Sequence, residues 1–410
     1  MFIETPSEHY DIVVVGGGLV GASFALHLDA ALVDTDCSVL VVEAVSPGDH
    51  DNQPSLDARS TALSWGSRTL FEAMGIWSQL HQVVTPIETI QVSDQGHLGT
   101  TELHHSEQAV EALGYVVENR ELGTILNQGL ESSSRIQFLA PARISSIRPE
   151  AEGMSFTIQH GESELQCNAS LVVLADGGRS PICQQLGIQQ SSTNYDQSAV
   201  ISNIAVQNPH DNMAFERFTR AGPLAVLPLA SYESQNRCSL VWTVESGGEN
   251  ELLQCDEATF IARLAENFGN RLGRIEKVGQ RFAYPLALSE AREQVRPGLV
   301  LLGNVAHALH PVAGQGLNLS LRDSAALVQI LTEGISRQQS PGDMSLLQSY
   351  LDSRLKDQRE SILFTDQMTR LFSSSNLGKV LARKAGLLSL DLLPGMRKEF
   401  ARRAMGTLAH

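Results

Sequence analysis

The 410-residue sequence has no run of 18 apolar residues and no pair of cysteines with C-x-x-C spacing. The missing apolar run argues against a membrane-spanning helix. The five cysteines are an odd, scattered set, which fits free thiols in a reducing compartment and supports neither a disulfide framework nor a zinc site, so we predict no metal. The first fifteen residues contain no Lys or Arg, which is not typical of a secretory signal, and we expect a cytoplasmic protein.

Basic residues are fewer than acidic ones, which gives the chain a net charge of −16. Nucleic acid is therefore not an expected partner, since a phosphate backbone requires a basic footprint. The exception is the segment 376–410, where seven basic and two acidic residues give a net charge of +5 and leave −21 for the other residues. This segment is also rich in Leu, which is typical either of a surface that binds an anionic membrane or of a C-terminal helix packed on its own domain.

The length suggests two or three domains, and 42% apolar and 19% charged residues are typical of a soluble globular protein.

A buried parallel strand is predicted at Asp11–Val15, followed by G-x-G-x-x-G at Gly16, Gly18 and Gly21 and by helical spacing of apolar residues. A second strand, Ser38–Val42, ends at Glu43. This order predicts a dinucleotide site with the diphosphate at the helix N-terminus and Glu43 on the ribose diol. The motif alone does not separate NAD from FAD.

Two later strands also end at glycine-rich loops. Leu171–Ala175 runs into Asp176-Gly177, which is an ordinary turn or, if the strand joins the first sheet, a ligand loop at its carboxyl edge. Leu299–Leu302 leads to Gly314-Gln315-Gly316 and to a helix starting near Leu317. Glycines before a helix N-terminus let a flat ligand approach and stabilise negative charge on it, as a reduced flavin requires.

The middle of the chain alternates apolar and polar residues in short stretches. Residues 86–103, 136–168 and 196–290 predict strands of an antiparallel sheet inserted into the nucleotide-binding fold. Helices are predicted at Asp256–Phe268 and Leu346–Phe372. Phe215 and Phe218 either line an apolar wall or pack in the core, and we favour the core.

With these segments, the chain resembles the class A flavoprotein aromatic hydroxylases. The three fingerprints of that family are similar to Gly16-x-Gly18-x-x-Gly21, to Asp176-Gly177-x-x-Ser180 and to the segment from Gly303-Asn304 to Asn318. Further segments resemble the ubiquinone-biosynthesis branch, and most of all its 2-octaprenyl-6-methoxyphenol hydroxylases: Asp57-x-Arg59, VSDQGHLG at 92–99, AFERFTRAGPLAVLPL at 214–229, CSLVW at 238–242 and AYPLAL at 283–288.

The resemblance implies an α/β fold of the para-hydroxybenzoate hydroxylase type. A Rossmann-like FAD-binding domain would comprise 1–85, 105–195 and 290–335, with an interleaved antiparallel-sheet substrate domain at 86–104 and 196–289. A C-terminal helical region would follow at 336–410. The implied FAD-binding residues are Gly16, Gly18, Gly21, Glu43, Arg59, Arg120, Asp176, Asn304, Gly314, Gln315, Gly316 and Asn318.

Some of these roles have alternatives. Arg59 and Arg120 would lie near the ribityl chain and diphosphate, or form surface salt bridges. His307 and His310 are expected to be loop residues near the flavin, with His310 and Pro311 at the ring, and not metal ligands. Asn304 replaces the aspartate usual in the family and retains hydrogen-bonding capacity. Cys183 stands where the family commonly has arginine, so no role of that arginine is transferred.

The implied reaction uses NAD(P)H and O2 to hydroxylate the ring of a polyprenyl phenol, 2-polyprenyl-6-methoxyphenol, through a flavin hydroperoxide in a pocket that excludes water. Partners would be this lipid substrate, a protein complex of the ubiquinone pathway and a membrane surface bound through 376–410. The alternatives are a sister hydroxylase acting at another ring position, a flavin monooxygenase of an unrelated aromatic substrate, a reductase, and a module that binds FAD without catalysis. A halogenase is not expected, because Trp65, Trp77 and Trp242 form no W-x-W-x-I motif.

Overall fold

The computed structural model describes residues 7–33, 35–46, 59–95, 100–309 and 314–372, with residues 402, 405 and 406. The described residues form twenty strands and nine α-helices. The strands are β1 (His9–Val15), β2 (Val39–Val42), β3 (Ser60–Ser64), β4 (Thr85–Ile87), β5 (Thr89–Asp94), β6 (Thr100–His104), β7 (Gly114–Glu118), β8 (Ile136–Leu139), β9 (Arg143–Glu150), β10 (Gly153–His160), β11 (Ser163–Leu174), β12 (Gln190–Val206), β13 (Met213–Phe218), β14 (Pro223–Tyr232), β15 (Gln235–Glu245), β16 (Ile275–Val278), β17 (Phe282–Ala291), β18 (Val295–Arg296), β19 (Leu299–Leu301) and β20 (His307–Ala308). The helices are α1 (Leu19–Ala31), α2 (Trp65–Ala73), α3 (Trp77–Leu80), α4 (Asn119–Ser132), α5 (Pro181–Gln185), α6 (Gly248–Gln254), α7 (Glu257–Phe268), α8 (Gln315–Ser336) and α9 (Met344–Phe372).

The first sheet has a parallel centre in the order β19-β11-β1-β2-β8, with β18 antiparallel at one edge. Successive residues of β1 point to opposite faces, so Ile12 and Val14 enter one core while Val13 and Val15 enter the other. The first core is closed by α1, α4 and α8, and the second by the β9–β10 hairpin and α5. A sheet buried on both faces explains the continuous apolar run of β1.

The second sheet is mostly antiparallel and has the order β20-β17-β12-β15-β14-β13-β5-β6, with β16 also paired to β12. Its one parallel pair joins β13 to β5, which come from distant parts of the sequence. One face packs on α7, where Phe215, Val226 and Leu240 share a core with Phe268. The other face meets the third, small sheet β3-β7-β4 through Ala214, Leu229 and Val116. The second sheet is therefore separate from the parallel one, as expected of an inserted sheet.

One part of the prediction for the middle of the chain is wrong. Residues 136–168 do not belong to the inserted sheet, because β8 pairs in parallel with β2 and the β9–β10 hairpin extends β11 of the first sheet. The predicted helices at Asp256–Phe268 and Leu346–Phe372 are confirmed as α7 and α9, and Asp256 caps α7 by accepting from the Thr259 N–H at 2.7 Å. The division into domains stays a prediction.

Within the described residues, no helix combines the length and apolar character needed to cross a bilayer. Most of the basic segment 376–410 lies outside the described residues. Met405 is buried in a small cluster with Leu103 and Leu113, and its carbonyl accepts from the Gly66 N–H at 2.9 Å. The chain at Met405 therefore packs on the rest of the protein.

Candidate functional site

The site begins at the turn between β1 and α1. Gly16 has φ +102°, and a Cβ there would lie 2.6 Å from the Ala175 carbonyl oxygen, so only glycine fits. Gly18 is the N-cap of α1, where no side chain caps the helix and no acidic residue lies in the first turn. At Gly21, a Cβ would meet the Gly16 carbonyl oxygen at 1.9 Å, which shows how closely α1 packs on the turn. The uncapped N–H groups of α1 form a site for an anion.

Glu43 lies beside this turn at the carboxyl end of β2. It is buried, and its two oxygens accept from the N–H groups of Gly17 at 2.6 Å and Val45 at 2.9 Å. These bonds fix the carboxylate next to the glycine turn, and each oxygen keeps a second lone pair for a ligand hydroxyl. The position agrees with the predicted contact to a ribose diol, which stays a prediction.

Three segments that are distant in sequence converge on the carboxyl edge of the parallel sheet. Ala175 and Asp176 follow β11 and lie against Gly16. Gly303 has φ +79° and lies against Val20 of α1, since a Cβ there would be 3.1 Å from a Val20 methyl group. A Cβ on Gly178 would lie 3.7 Å from the Asn304 carbonyl oxygen. The loops after β1, β11 and β19 therefore border one another, and this is the edge where open α/β sheets bind ligands.

Asp176 is the chemically unusual group of this edge. Its Oδ1 atom is buried and has no hydrogen-bond partner in the described part of the chain. Burial raises the pKa of Asp176 to about 6, and a hydrogen bond with Ser180 opposes that rise. A buried oxygen without a partner is costly, so a hydroxyl donor from a ligand would stabilise it. Asn304, by contrast, is exposed and its side chain is open to a ligand.

The second helix N-terminus belongs to α8. Gly314 is its N-cap, with φ +60° and no side-chain cap, and a Cβ there would lie 3.1 Å from the Cβ of Ala62 on β3. Gln315 is buried, whereas a Cβ on Gly316 would have open space within 4 Å. The helix thus begins two residues earlier than predicted, and its first turn borders a free volume at Gly316. Such a volume beside uncapped N–H groups suits a flat ring that carries negative charge.

Asn318 holds this turn in place. Its Oδ1 accepts from the Ser64 N–H at 2.8 Å and the Ser67 hydroxyl at 2.7 Å. Its Nδ2 donates to the carbonyl oxygens of Ala62 at 2.8 Å and Gly314 at 2.7 Å. All four hydrogen-bonding positions of the amide are therefore used within the protein. The side chain positions the α8 turn against β3 and α2, and the direct flavin contact predicted for it stays a prediction.

The two predicted arginines lie near each other in the folded chain. The guanidinium carbon of Arg59 is 4.9 Å from the ring centroid of Tyr284 on β17, a cation–π contact between the first part of the chain and the second sheet. The Arg59 carbonyl accepts from the Asn119 N–H at 2.9 Å, which places Arg120 at the start of α4 nearby. Arg120 is exposed, and no carboxylate of the described ranges pairs with it. Their predicted contacts with the cofactor remain predictions.

His307 differs from the prediction. It is not in a loop but begins β20, is 2% exposed, and its Nε2 lies 2.6 Å from Oδ2 of Asp323 on α8. Oδ1 of Asp323 accepts from the Arg354 Nε at 2.6 Å, and Arg354 also pairs with Asp357. No local pattern in the sequence predicts this network, because its members are separated by 16 and 31 residues. His310 and Pro311 lie outside the described residues.

These observations fit FAD. The Gly16 cradle and the α1 N-terminus would hold the diphosphate, with Glu43 on the adenosine ribose. Asp176 and Asn304 would face the diphosphate and the ribityl chain, and the first turn of α8 would receive the flavin ring. The unpartnered oxygen of Asp176 and the open space at Gly316 leave room for contacts with such a ligand.

Comparison with known proteins agrees with this geometry. The model of a family described as FAD binding domain (FAD_binding_3) matches residues 9–363. The chain is 36% identical to the ubiquinone hydroxylase UbiL of Rhodospirillum rubrum, over 97% of this chain and 90% of that protein. It is 30% identical to the 3-demethoxyubiquinol 3-hydroxylase of Escherichia coli, over 93% of this chain and 97% of that protein.

The fold also matches solved structures. The p-nitrophenol 4-monooxygenase PnpA of Pseudomonas putida superimposes with a TM-score of 0.78 at 17% identity, over 98% of this chain and all of that one. At this identity the likeness shows the fold alone, and the prediction of an FAD-dependent hydroxylase fold of the para-hydroxybenzoate hydroxylase type is confirmed.

Proposed function

We propose that this chain, which belongs to the FAD binding domain family and is an FAD-dependent monooxygenase, hydroxylates the aromatic ring of a polyprenyl phenol in ubiquinone biosynthesis. The observation that carries the proposal is the convergence of three glycine-rich loops on one sheet edge, with Asp176 unpartnered and Gly316 bordering open space. The similarity to two ubiquinone-pathway hydroxylases along almost the whole chain supports the pathway.

The chain's own residues would bind and orient the cofactor and exclude water. FAD, when bound, supplies the activation of O2, with electrons from NAD(P)H, the typical co-substrate of the family. The first turn of α8 would stabilise negative charge on the ring system, and Asn318 would keep that turn in position. The inserted sheet would cover the reacting ring, because water in such a site diverts the oxidation to H2O2.

For the substrate, we propose 2-polyprenyl-6-methoxyphenol. A second candidate is a sister reaction at another ring carbon, which the similarity to a 3-demethoxyubiquinol 3-hydroxylase favours. The two candidates share the cofactor site and differ only in how the ring is presented to it.

Quinone profiling of a strain that lacks this gene separates these candidates. We expect 2-polyprenyl-6-methoxyphenol to accumulate, and complementation by the wild type but not by Gly314→Trp, which would fill the turn against Ala62. Gly248→Trp in α6, remote from the site, is the control and should complement. Accumulation of a different ring intermediate would favour the sister reaction, and normal ubiquinone in the deletion strain would contradict the pathway.

The basic segment 376–410 would bring the enzyme to a lipid substrate. We propose that its positive charges hold the protein on an anionic membrane surface or on other proteins of the pathway. Replacing Lys379, Arg383 and Lys384 by Gln should reduce sedimentation with vesicles that contain anionic lipid, whereas replacing Arg148 and Lys277, which lie on exposed strands, should not. Equal sedimentation of both variants would remove the membrane proposal.

A further inference from the structure

The face of the second sheet that looks toward the α8 turn carries one charged residue in its central row. Directly paired residues of neighbouring strands point to the same side. One such row crosses six strands, and its members are Val92, Glu216, Ala225, Val241, Ile201 and Phe282. Glu216 is therefore a carboxylate in an otherwise apolar row.

The orientation of this row follows from its neighbours. Phe215, next to Glu216 on β13, packs on the opposite face against Phe268 of α7, with ring centroids 5.5 Å apart. Ala214, on the same face as Glu216, shares a small cluster with Ala62 of β3. Ala62 in turn touches the Gly314 turn. Glu216 thus lies on the side where the flavin ring is expected.

Part of this row is accessible, although Val92 and Ile201 are buried. On the α7 side, Val226 and Leu240 are fully buried, whereas Glu216, Ala225, Val241 and Phe282 all keep partial exposure. In the described part of the chain, the carboxylate of Glu216 has neither a hydrogen bond nor an ion pair. A carboxylate is not expected in an apolar wall without a partner unless it meets a ligand.

The surroundings leave Glu216 electrostatically isolated. The charged groups on the elements packed around this face include Asp94 on β5, Arg59 before β3, and Arg237 on β15, which pairs with Glu118 on β7 at 2.7 Å. None of them contributes to the pKa of Glu216, which burial alone raises to about 7. A carboxylate with such a pKa is a stronger base than an exposed one and is still ionised in part near neutral pH.

We propose that the carboxylate of Glu216 is the general base that accepts the phenolic proton of the substrate. The proposal rests on the function proposed above. The phenolic O–H bond breaks, a bond from this proton to a Glu216 oxygen forms, and the electron pair stays on the phenolate, whose ring carbon becomes more nucleophilic. One atom of O2 enters the ring, the other leaves as water, and NAD(P)H supplies the two electrons. The ring carbon loses its hydrogen as a proton, and Glu216 returns its own proton to the substrate oxygen. The ring proton, the hydride of NAD(P)H and one proton from solvent supply the hydrogen of the new hydroxyl and the two hydrogens of water.

The test uses the purified FAD-loaded enzyme with a short-chain prenyl phenol. Glu216→Gln keeps the shape and removes the base, and Glu216→Asp keeps a carboxylate. Glu102→Gln is the control, because Glu102 on β6 of the same sheet is bonded to Gln91 at 2.9 Å, on the α7 side. We expect Glu216→Gln to bind FAD normally and to lose at least about 100-fold in kcat/KM for hydroxylation, with partial recovery in Glu216→Asp and no loss in Glu102→Gln.

Two measurements distinguish a general base from a residue that has only a structural role. The wild-type pH profile should have an acidic limb that is absent in Glu216→Gln. Fluorinated phenols are more acidic and ionise without a general base, so the difference in kcat/KM between Glu216→Gln and the wild type should be smaller with them. A Glu216→Gln enzyme within threefold of the wild type on all phenols, or a gap that does not change with phenol acidity, would overturn the assignment. Wild-type enzyme that binds FAD but makes no product from any phenol would overturn the proposed function itself, and this assignment with it.

Discussion

The Nε2 atom of His307 lies 2.6 Å from Oδ2 of Asp323, with both side chains 1% exposed. This contact ties β20, which follows the third glycine turn, to the middle of α8. The other oxygen of Asp323 accepts from Arg354 on α9, so one buried carboxylate joins three elements. The ion pairs and hydrogen bonds with Arg354 and His307 lower the pKa of Asp323 despite its burial.

Removing this carboxylate should be severely destabilising. In Asp323→Ala, the buried Arg354 would lose one of its two carboxylate partners, and we expect the free energy of unfolding in urea to fall by about 3–5 kcal/mol. Glu150→Ala, which breaks an exposed pair with Arg148, should cost about 1 kcal/mol or less. Similar losses in the two variants would mean that the network does not hold these elements together.

Gly314 and Gly316 should respond differently to alanine. Gly314→Ala places a Cβ at φ +60° and 3.1 Å from Ala62, so the FAD-free protein should lose about 1–2 kcal/mol. Gly316→Ala lies inside α8 with open space around it, so the FAD-free protein should keep or slightly gain stability. If the flavin ring occupies that space, Gly316→Ala should nevertheless weaken FAD binding at least about tenfold, a loss of about 1.4 kcal/mol. FAD titration by fluorescence measures this, and unchanged affinity would place the ring elsewhere.

The raised pKa of Asp176 predicts that the stability of the protein depends on pH. Its folded pKa is raised to about 6 from 3.8, so the fold favours the protonated form. Its contribution to stability is present below pH 3.8 and is lost as the pH rises through about 6. In the FAD-free protein, Asp176→Asn should therefore stabilise at pH 8 by up to about 3 kcal/mol, at about 1.4 kcal/mol per pKa unit, and have little effect at pH 4.

The same substitution should weaken FAD binding, because Asn offers one acceptor oxygen without charge to a ligand hydroxyl. Asp211→Asn, on an exposed turn of the second sheet, is the control and should change neither property. A stability change at pH 8 that persists at pH 4 would show that the effect of Asp176→Asn is not electrostatic.

Asn318 should couple the α8 turn to β3. Asn318→Asp keeps both acceptor bonds, to the Ser64 N–H and the Ser67 hydroxyl, but places a carboxylate oxygen against the carbonyl oxygens of Ala62 and Gly314. We expect a loss of about 1–3 kcal/mol in stability and weaker FAD binding. Asn267→Asp in α7, where the side chain donates to the Arg263 carbonyl, is a matched control that should spare FAD binding. Normal FAD binding by Asn318→Asp would show that the turn needs no such support.

Local motifs in the sequence predicted the parts of the site that depend on local geometry. The turn at Gly16, the acid at Glu43 and the helix after Gly314 each follow from residue types at fixed spacing. The placement of 136–168 failed because alternation in a short strand does not show which partner it pairs with, and β8 found a parallel neighbour in β2. The face to which Glu216 points was likewise unpredictable, since it depends on the register with β5 and β14.

The contact between His307 and Asp323 has a similar cause. Neither residue lies in a pattern that points to the other, and Arg354 is brought to them only by the packing of α9 on α8. The full use of the Asn318 amide within the protein was also invisible, because its partners Ala62, Ser64 and Ser67 lie more than 250 residues earlier. Long-range packing, rather than local preference, decides these roles.

The most direct test of the proposed reaction is hydroxylation under 18O2 by the purified enzyme with FAD, NAD(P)H and a prenylated 6-methoxyphenol, followed by mass spectrometry of the product. We expect a product with one 18O atom on the ring, whose formation consumes one NAD(P)H. Oxidation of NAD(P)H by the FAD-loaded enzyme that yields only H2O2, with no labelled phenol, would contradict the proposed reaction.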